Sequence, residues 1–149
     1  MKKEMFALPI TGTLIKLSDV PEKVFADGTL GQGFAIRFTG RYLVSPISGT
    51  VIASFPAGHA FIVRRDDGLE VMMHVGIGSA RCEGAFSARV EKYASVTRGQ
   101  VLTEVKEGFF DNRTAYCPVV FSLPDIEVVL LKAGEKLEAL DDSAVRVIY

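Results

Sequence analysis

The sequence predicts an all-β protein, specifically an antiparallel β-sandwich or barrel-sandwich hybrid with an internal duplication and a few short helical turns. Apart from one C-terminal segment, no stretch of the 149 residues carries a sustained helical apolar period. Short apolar runs alternate instead with Gly, Pro and Asp, a pattern typical of many short strands joined by turns. Ten Phe, many Val and Ile, and no Trp suit the faces of such strands.

Eight apolar runs are predicted as strands, at residues 13–17, 33–38, 50–55, 60–63, 69–75, 101–105, 118–123 and 145–149. Residues 19–33 begin with helix-start chemistry and contain several glycines, which predicts one helical turn and a surface loop. Residues 86–96 are expected to supply a further helical turn. Residues 126–140 fit either helix or strand, and Gly134 with the short spacing favours strands joined by a turn.

A heptapeptide occurs twice in closely similar form. Residues 9–15 read PITGTLI and residues 46–52 read PISGTVI, with five of seven positions identical. An apolar run follows each copy, GFAIRF after the first and HAFIVR after the second. The repeat indicates two related β-units packed about a pseudo-axis.

Composition excludes several classes of protein and partner. The length of 149 residues suits one domain, and the net charge of −1 suggests neither nucleic acid nor an anionic membrane as partner. The mean hydropathy is +0.26, yet no apolar run approaches the ~18 residues of a membrane span, and the start does not resemble a signal peptide. Cys82 and Cys117 lack metal-ligand spacing and are expected to be free buried thiols. We therefore expect a cytoplasmic protein without membrane insertion, metal or cofactor.

The stretch from Gly58 to Gly78 contains both histidines, His59 and His74, at the two ends of a predicted β-hairpin. Its turn is predicted at Asp66-Asp67-Gly68. A hairpin that pairs the two histidines directly places them on one face, with Cβ atoms about 4.5–5.5 Å apart. A slip of one residue places them on opposite faces unless a bulge corrects it.

Three uses suit such a pair of imidazoles. A zinc site needs a third and fourth ligand, and the cysteines lack ligand spacing. Acid–base hydrolysis needs a carboxylate beside one ring, whereas Asp66 and Asp67 lie at the far end of the hairpin. Phosphoryl carriage needs one neutral imidazole as nucleophile and a second to stabilise the phosphate. Gly76 and Gly78 would let a partner protein come close and would offer backbone N–H groups to phosphate oxygens.

The segments GHAFIV (58–63) and VMMHVGI (71–77) are similar to the paired-histidine signature of the glucose-class enzyme IIA of the bacterial phosphoenolpyruvate-dependent sugar phosphotransferase system. VFADGTLGQGFAI (24–36), SPISGTVIASF (45–55) and CPVVFS (117–122) resemble other strands and loops of that family. The resemblance therefore covers nearly the whole chain and implies a single type 1 EIIA domain over residues 1–149.

By that resemblance, His74 would accept a phosphoryl group through Nε2 from the phosphohistidine of the carrier protein HPr. It would pass the group to a cysteine of a IIB domain, which works with a IIC permease in sugar uptake. His59 would stabilise the phosphate. An apolar collar, where both partners dock, would consist of Val24, Phe25, Phe55, Phe61 and Met72. Core packing is an equally good interpretation of Phe61.

The chain departs from the family pattern at two positions beside the histidines. Ala57 replaces the usual Thr two residues before the first histidine, and Gly78 replaces an acidic residue after the second. A divergent partner or a mainly regulatory role therefore stays open. The alternative function is a non-catalytic binding module that docks regulatory partners through the collar or bridges a metal with both histidines.

Overall fold

The computed structural model describes residues 1–149, except for the side chain of Arg81. The strands of the first half are β1 Lys3–Phe6, β2 Gly12–Lys16, β3 Gln32–Phe38, β4 Tyr42–Val44, β5 Gly49–Ser54, β6 Ala60–Arg64 and β7 Glu70–His74. Those of the second half are β8 Phe86–Ala88, β9 Ser95–Val96, β10 Val101–Val105, β11 Tyr116–Phe121, β12 Glu127–Leu130, β13 Lys136–Leu137 and β14 Val145–Ile148. Helical structure is limited to α1 Lys23–Ala26 and to 3-10 turns at Leu17–Asp19 and Ser79–Arg81.

The strands form three antiparallel sheets. The largest has eight strands in the order β13-β2-β3-β11-β7-β6-β5-β9, and the others have the orders β1-β14-β12 and β4-β10-β8. Every strand pairing is antiparallel. The all-β antiparallel prediction is confirmed.

The large sheet consists of two corresponding halves that meet at the β7–β11 pair. On one side lie β11, β3, β2 and β13, and on the other lie β7, β6, β5 and β9. The repeated heptapeptide contributes β2 to the first half and β5 to the second. Gly12 and Gly49 occupy the same position in the two copies, and a Cβ on either would lie within 2.3 Å of a carbonyl oxygen in the neighbouring strand. The sequence repeat is therefore a structural repeat.

Alternation along the central strands divides the apolar residues between the two faces of this sheet. On β3, Phe34 and Ile36 enter the main core, whereas Ala35 faces the opposite side. There it belongs to a second buried group, which we call the outer cluster, formed by Leu17, Val20, Phe25, Ala35 and Val120. The 3-10 turn at Leu17–Asp19 and helix α1 thus cover the outer face beside β7.

All eight predicted strands are present, with ends shifted by at most two residues. Helix α1 confirms the helical turn predicted within residues 19–33, and β12 and β13 confirm strands in residues 126–140. The helical turn predicted in residues 86–96 is wrong. This segment forms β8 and β9, because both ends pair with other strands around a turn at residues 91–94.

Two further predictions concern the cysteines and the membrane. Cys82 and Cys117 are both free, but only Cys117 is fully buried, and burial raises the pKa of its thiol to about 12. Among the described residues, every helix is too short to cross a lipid bilayer.

Candidate functional site

The two histidines lie at the same end of the β6–β7 hairpin, but they are not paired directly. Ala60 is the strand partner of His74, and the N–H of Val75 donates to the carbonyl oxygen of His59 at 2.7 Å. This register fits a three-residue loop at residues 66–68. Of the two registers considered from the sequence, the one displaced by one residue from direct pairing is observed.

The imidazole rings nevertheless meet, because His59 lies just before the regular strand. Strand β6 begins at Ala60, and Gly58 has a φ of 77°, a conformation that glycine adopts without strain. The register of β6 with β7 shows no bulge. The ring centroids of His59 and His74 lie 4.9 Å apart, with an angle of 80° between the planes.

The Nδ1 atoms of both histidines are buried, and neither makes a hydrogen bond of good geometry with the described residues. Backbone groups of Gly76 and His74 lie close enough to the His74 ring to favour its protonated form, whereas no backbone group acts on His59 in this way. His59 is buried, and His74 is partly exposed. Because protein atoms enclose Nδ1 of each ring, Nε2 is the nitrogen left to meet an incoming group.

Aromatic side chains surround the pair. The ring centroid of Phe25 lies 5.3 Å from that of His74. His59 has Phe55 at 5.8 Å and Phe86 at 6.2 Å. The histidines are therefore held mainly by apolar contacts.

This apolar surrounding lowers the pKa of both imidazoles. Burial, followed by the neighbouring His59 ring, lowers the pKa of His74 to about 4, while backbone groups of Gly76 and His74 act in the opposite direction. Burial alone lowers the pKa of His59. Both rings are consequently neutral at neutral pH, the form in which an imidazole nitrogen is a nucleophile or a metal ligand.

The structure divides the residues of the predicted collar into exposed and enclosed ones. Val24 is 38% exposed and Phe55 is 40% exposed. Met72 is half-buried against the outer cluster and shares the face of β7 that carries His74. A docking role for these three residues stays a prediction.

The other two members of the collar do not offer a docking surface. Phe61 is fully buried in the main core, so its placement among exposed docking residues is wrong. Phe25 is only 3% exposed and its ring packs against His74. Alternation places Phe61 on the inner face of β6, and α1 turns Phe25 toward the sheet.

Gly76 and Gly78 differ in their surroundings. The N–H of Gly76 donates to the carbonyl oxygen of Tyr116 at 2.8 Å, and a Cβ on Gly76 would lie 2.3 Å from Cε1 of Phe110. The expectation of open space and a free N–H at Gly76 is therefore wrong. A Cβ on Gly78 would have no atom within 4 Å, so the chain is open to approach there.

The residues present do not build a metal site by themselves. Within the described part of the chain, no group of three or more His, Cys, Asp or Glu side chains could hold a metal ion. A metal bound by both rings would need its remaining ligands from another molecule.

Comparison with known proteins identifies the family of this chain. A family model described as phosphoenolpyruvate-dependent sugar phosphotransferase system, EIIA 1, matches residues 4–125. The chain belongs to this EIIA family. This is the family of sugar phosphotransferase system EIIA phosphoryl carriers that the sequence predicted.

Curated relatives and a solved structure support the same assignment. The chain is 35% identical over 129 residues to the PTS system N-acetylglucosamine-specific EIICBA component of Escherichia coli K12, with 84% of the chain and 20% of that relative covered. It is 33% identical over 120 residues to a PTS system glucose-specific EIIA component of Staphylococcus aureus, with 78% of the chain and 72% of that relative covered. The glucose permease IIA from Mycoplasma capricolum superposes with a TM-score of 0.83 at 26% identity, covering 97% of this chain and 96% of that one. The chain spans about a fifth of the length of the fused EIICBA relative.

Two residues of this EIIA site escaped the sequence reasoning. Phe86 packs on His59, and Phe110 packs on Phe86 with 5.7 Å between ring centroids. Neither phenylalanine belongs to a sequence motif that contains a histidine, so the sequence does not mark it as part of the site. The only signal in the sequence is Gly76, because its missing side chain provides the space that Phe110 fills.

Proposed function

We propose that residues 1–149 act as one EIIA domain that carries a phosphoryl group on Nε2 of His74. The donor is the phosphohistidine of HPr, and the acceptor is a cysteine of a IIB domain. Together with a IIC permease, the IIB domain then phosphorylates a sugar during its uptake. These exchanges take place in the cytoplasm.

The neutral histidine pair is the observation that supports this proposal. Nε2 of His74 attacks the donor phosphorus, the new N–P bond forms, and the N–P bond to HPr breaks. Attack requires a free lone pair on Nε2, so the single ring proton lies on Nδ1. Because phosphoryl transfer passes through a loose transition state, positioning and charge stabilisation provide most of the catalysis.

His59 is placed to stabilise the phosphate that arrives on its neighbour. The rings lie 4.9 Å apart at their centroids, so a phosphate on His74 is within reach of a donor nitrogen of His59. The negative charge of that phosphate favours the protonated form of His59, which opposes the lowering of its pKa by burial. His59 then donates to a phosphate oxygen during transfer to IIB.

The surface around the histidines fits docking of another protein. Val24 and Phe55 are apolar and partly exposed, and Phe55 contacts His59 directly. Met72 continues this apolar surface on the face of His74. Gly78 leaves open space beside it, where a partner backbone can approach. We assign HPr and IIB in turn to this surface.

Radioactive labelling tests the acceptor assignment. Phosphoenolpyruvate, enzyme I and HPr should label the protein in an acid-labile, base-stable way, as expected for phosphohistidine. His74→Ala should abolish the label, whereas Val24→Ala should retain it at a reduced rate. Label that survives in His74→Ala would overturn the assignment of the acceptor.

A second experiment tests His59. His59→Ala should still accept phosphate on His74, because the nucleophile is intact, but delivery to IIB should slow by roughly 10²-fold. Stopped-flow measurement of transfer to an isolated IIB domain checks this result. An unchanged delivery rate would remove the proposed role. Absence of label in the wild type, together with zinc or partner binding that needs both histidines, would favour the non-catalytic alternative.

A further inference from the structure

The orientation of His59 depends on packing rather than on hydrogen bonds. Its Nδ1 atom is buried and lacks a hydrogen-bond partner among the described residues, and no hydroxyl is present at Ala57. The aromatic rings in contact with it are Phe55, His74 and Phe86. Of these, Phe55 is 40% exposed, so Phe86 is the buried support.

Phe86 is in turn supported from behind by Phe110. The two rings have centroids 5.7 Å apart, and Phe110 also meets Phe38 edge-on at 5.7 Å. On its other side Phe110 lies against Gly76, where a Cβ would come within 2.3 Å of the ring. Phe110 thus fills the space between the segment after His74 and the side chain that packs on His59.

The turn that follows Phe110 fixes its place. The N–H of Asp111 donates to Oγ1 of Thr114 at 3.0 Å, and the N–H of Arg113 donates to Oδ1 of Asp111 at 2.8 Å. The carbonyl oxygen of Thr114 accepts from the N–H of Ile77 at 2.9 Å. The loop that carries Phe110 is therefore bonded directly to the segment that follows His74.

We propose that Phe110 is a positioning residue for His59, acting through Phe86. Its ring holds Phe86 against the imidazole and so keeps the donor nitrogen of His59 directed at the phosphate on His74. The His59 ring is therefore oriented by packing, because its Nδ1 atom makes no hydrogen bond with the described residues. The kinetic part of this inference rests on the proposed function, whereas the structural part does not.

A spectroscopic experiment tests the structural part without any phosphoryl transfer. Long-range ¹H–¹⁵N spectra of the unphosphorylated, ¹⁵N-labelled protein report the tautomer and environment of each ring. Phe110→Leu should shift the ring nitrogen signals of His59, because a leucine cannot fill the space between Gly76 and Phe86. Phe109→Leu is the loop control, since Phe109 is 44% exposed, and it should leave those signals unchanged.

A kinetic experiment tests the consequence for transfer. Phe110→Leu should reduce kcat for delivery to IIB roughly three- to tenfold while KM for IIB stays unchanged, because a misplaced group slows the step without altering docking. Phe34→Leu is the control for general loss of core packing, since Phe34 contacts Phe6 and Phe121 instead of the site. It should lower stability without altering kcat.

Each result has a distinct meaning. Unchanged His59 signals in a folded Phe110→Leu protein would overturn the inference, as would an equal change in Phe34→Leu. If Phe110→Leu does not fold, Phe110→Met, whose flexible unbranched side chain adapts to an irregular space but lacks the ring, takes its place with the same criteria. If the wild type is not labelled by phospho-HPr, the proposed function fails, while the spectra still decide the positioning role of Phe110.

Discussion

His74 combines two properties that normally oppose each other, access to solvent and an apolar environment. It is partly exposed, yet Phe25 covers one side of the ring and His59 meets another. Desolvation disfavours the imidazolium form, so the neutral nucleophile is the resting state.

Stability should therefore depend on pH through His74. Its pKa is about 4 in the folded protein and 6.5 as an unperturbed side chain, so between these values the unfolded chain binds more protons. The contribution of His74 to the free energy of unfolding should be constant above about pH 6.5 and fall as the pH drops toward 4. At about 1.4 kcal/mol per unit, His74 contributes at most about 3.5 kcal/mol to this loss.

Urea unfolding of wild type and His74→Gln at several pH values measures this contribution. Carboxylates titrate in both proteins, so the difference between the two curves isolates the histidine. As the pH falls from 7 to 4, the free energy of unfolding of the wild type should decrease more than that of His74→Gln. Parallel curves over this range would show that His74 has an ordinary pKa.

The β6–β7 hairpin shows how far the sequence determines the site. Apolar alternation and the Asp66-Asp67-Gly68 turn were sufficient to predict both strands and to bring the histidines to one end. His59 lies outside the regular strand, after Gly58 with its positive φ, and alternation does not predict where the side chain of such a residue points. The register was therefore predicted only to within one residue.

The loop between β10 and β11 shows what the sequence does not determine. Phe110 contacts Gly76, Phe86 and Phe38, which are distant from it in sequence and belong to three different segments. Such contacts depend on the completed sheet arrangement, and no local period encodes them. Likewise, Phe61 is buried in the main core and Phe25 in the outer cluster because other parts of the chain cover both faces of the large sheet.

The repeated strands β2 and β5 make a matched prediction possible. A Cβ on Gly49 would lie 2.1 Å from the carbonyl oxygen of Arg64, and one on Gly12 would lie 2.3 Å from that of Arg37. Backbone atoms within a sheet cannot move aside cheaply, so Gly12→Ala and Gly49→Ala should each cost about 3 kcal/mol or more.

Gly68→Ala is the control for glycine replacement without a clash. Gly68 has a φ of 95° but no atom within 4 Å of its Cβ position, so the substitution adds only backbone strain of about 1 kcal/mol. Chemical denaturation of the three variants checks the order. Similar losses at Gly49 and Gly68 would show that the close approach in β5 is relieved by small shifts.

Across the molecule, the site and a polar network around Arg65 lie at opposite ends of the β6–β7 hairpin. The histidines lie at the end of the hairpin where β6 begins and β7 ends. At the hairpin tip, Arg65 donates to both carboxylate oxygens of Glu4, at 2.8 and 2.7 Å, and to the hydroxyl of Tyr149 at 2.6 Å. This network joins β1 and the residue after β14 to the hairpin.

Because the network and the site are separate, stability and phosphoryl transfer should respond independently to its removal. Arg65→Ala leaves the carboxylate of Glu4, which is 23% exposed, without its bidentate partner and should cost about 2 kcal/mol. The neighbouring Arg64 is the matched control. It pairs with Glu70 but is 56% exposed, so Arg64→Ala should change stability by only about 0.5 kcal/mol.

Urea midpoints measure both losses, and the rate of labelling by phospho-HPr should be unchanged in each variant at a temperature where it is folded. Slower labelling in folded Arg65→Ala would show that the hairpin tip is coupled to the histidines through β6 and β7.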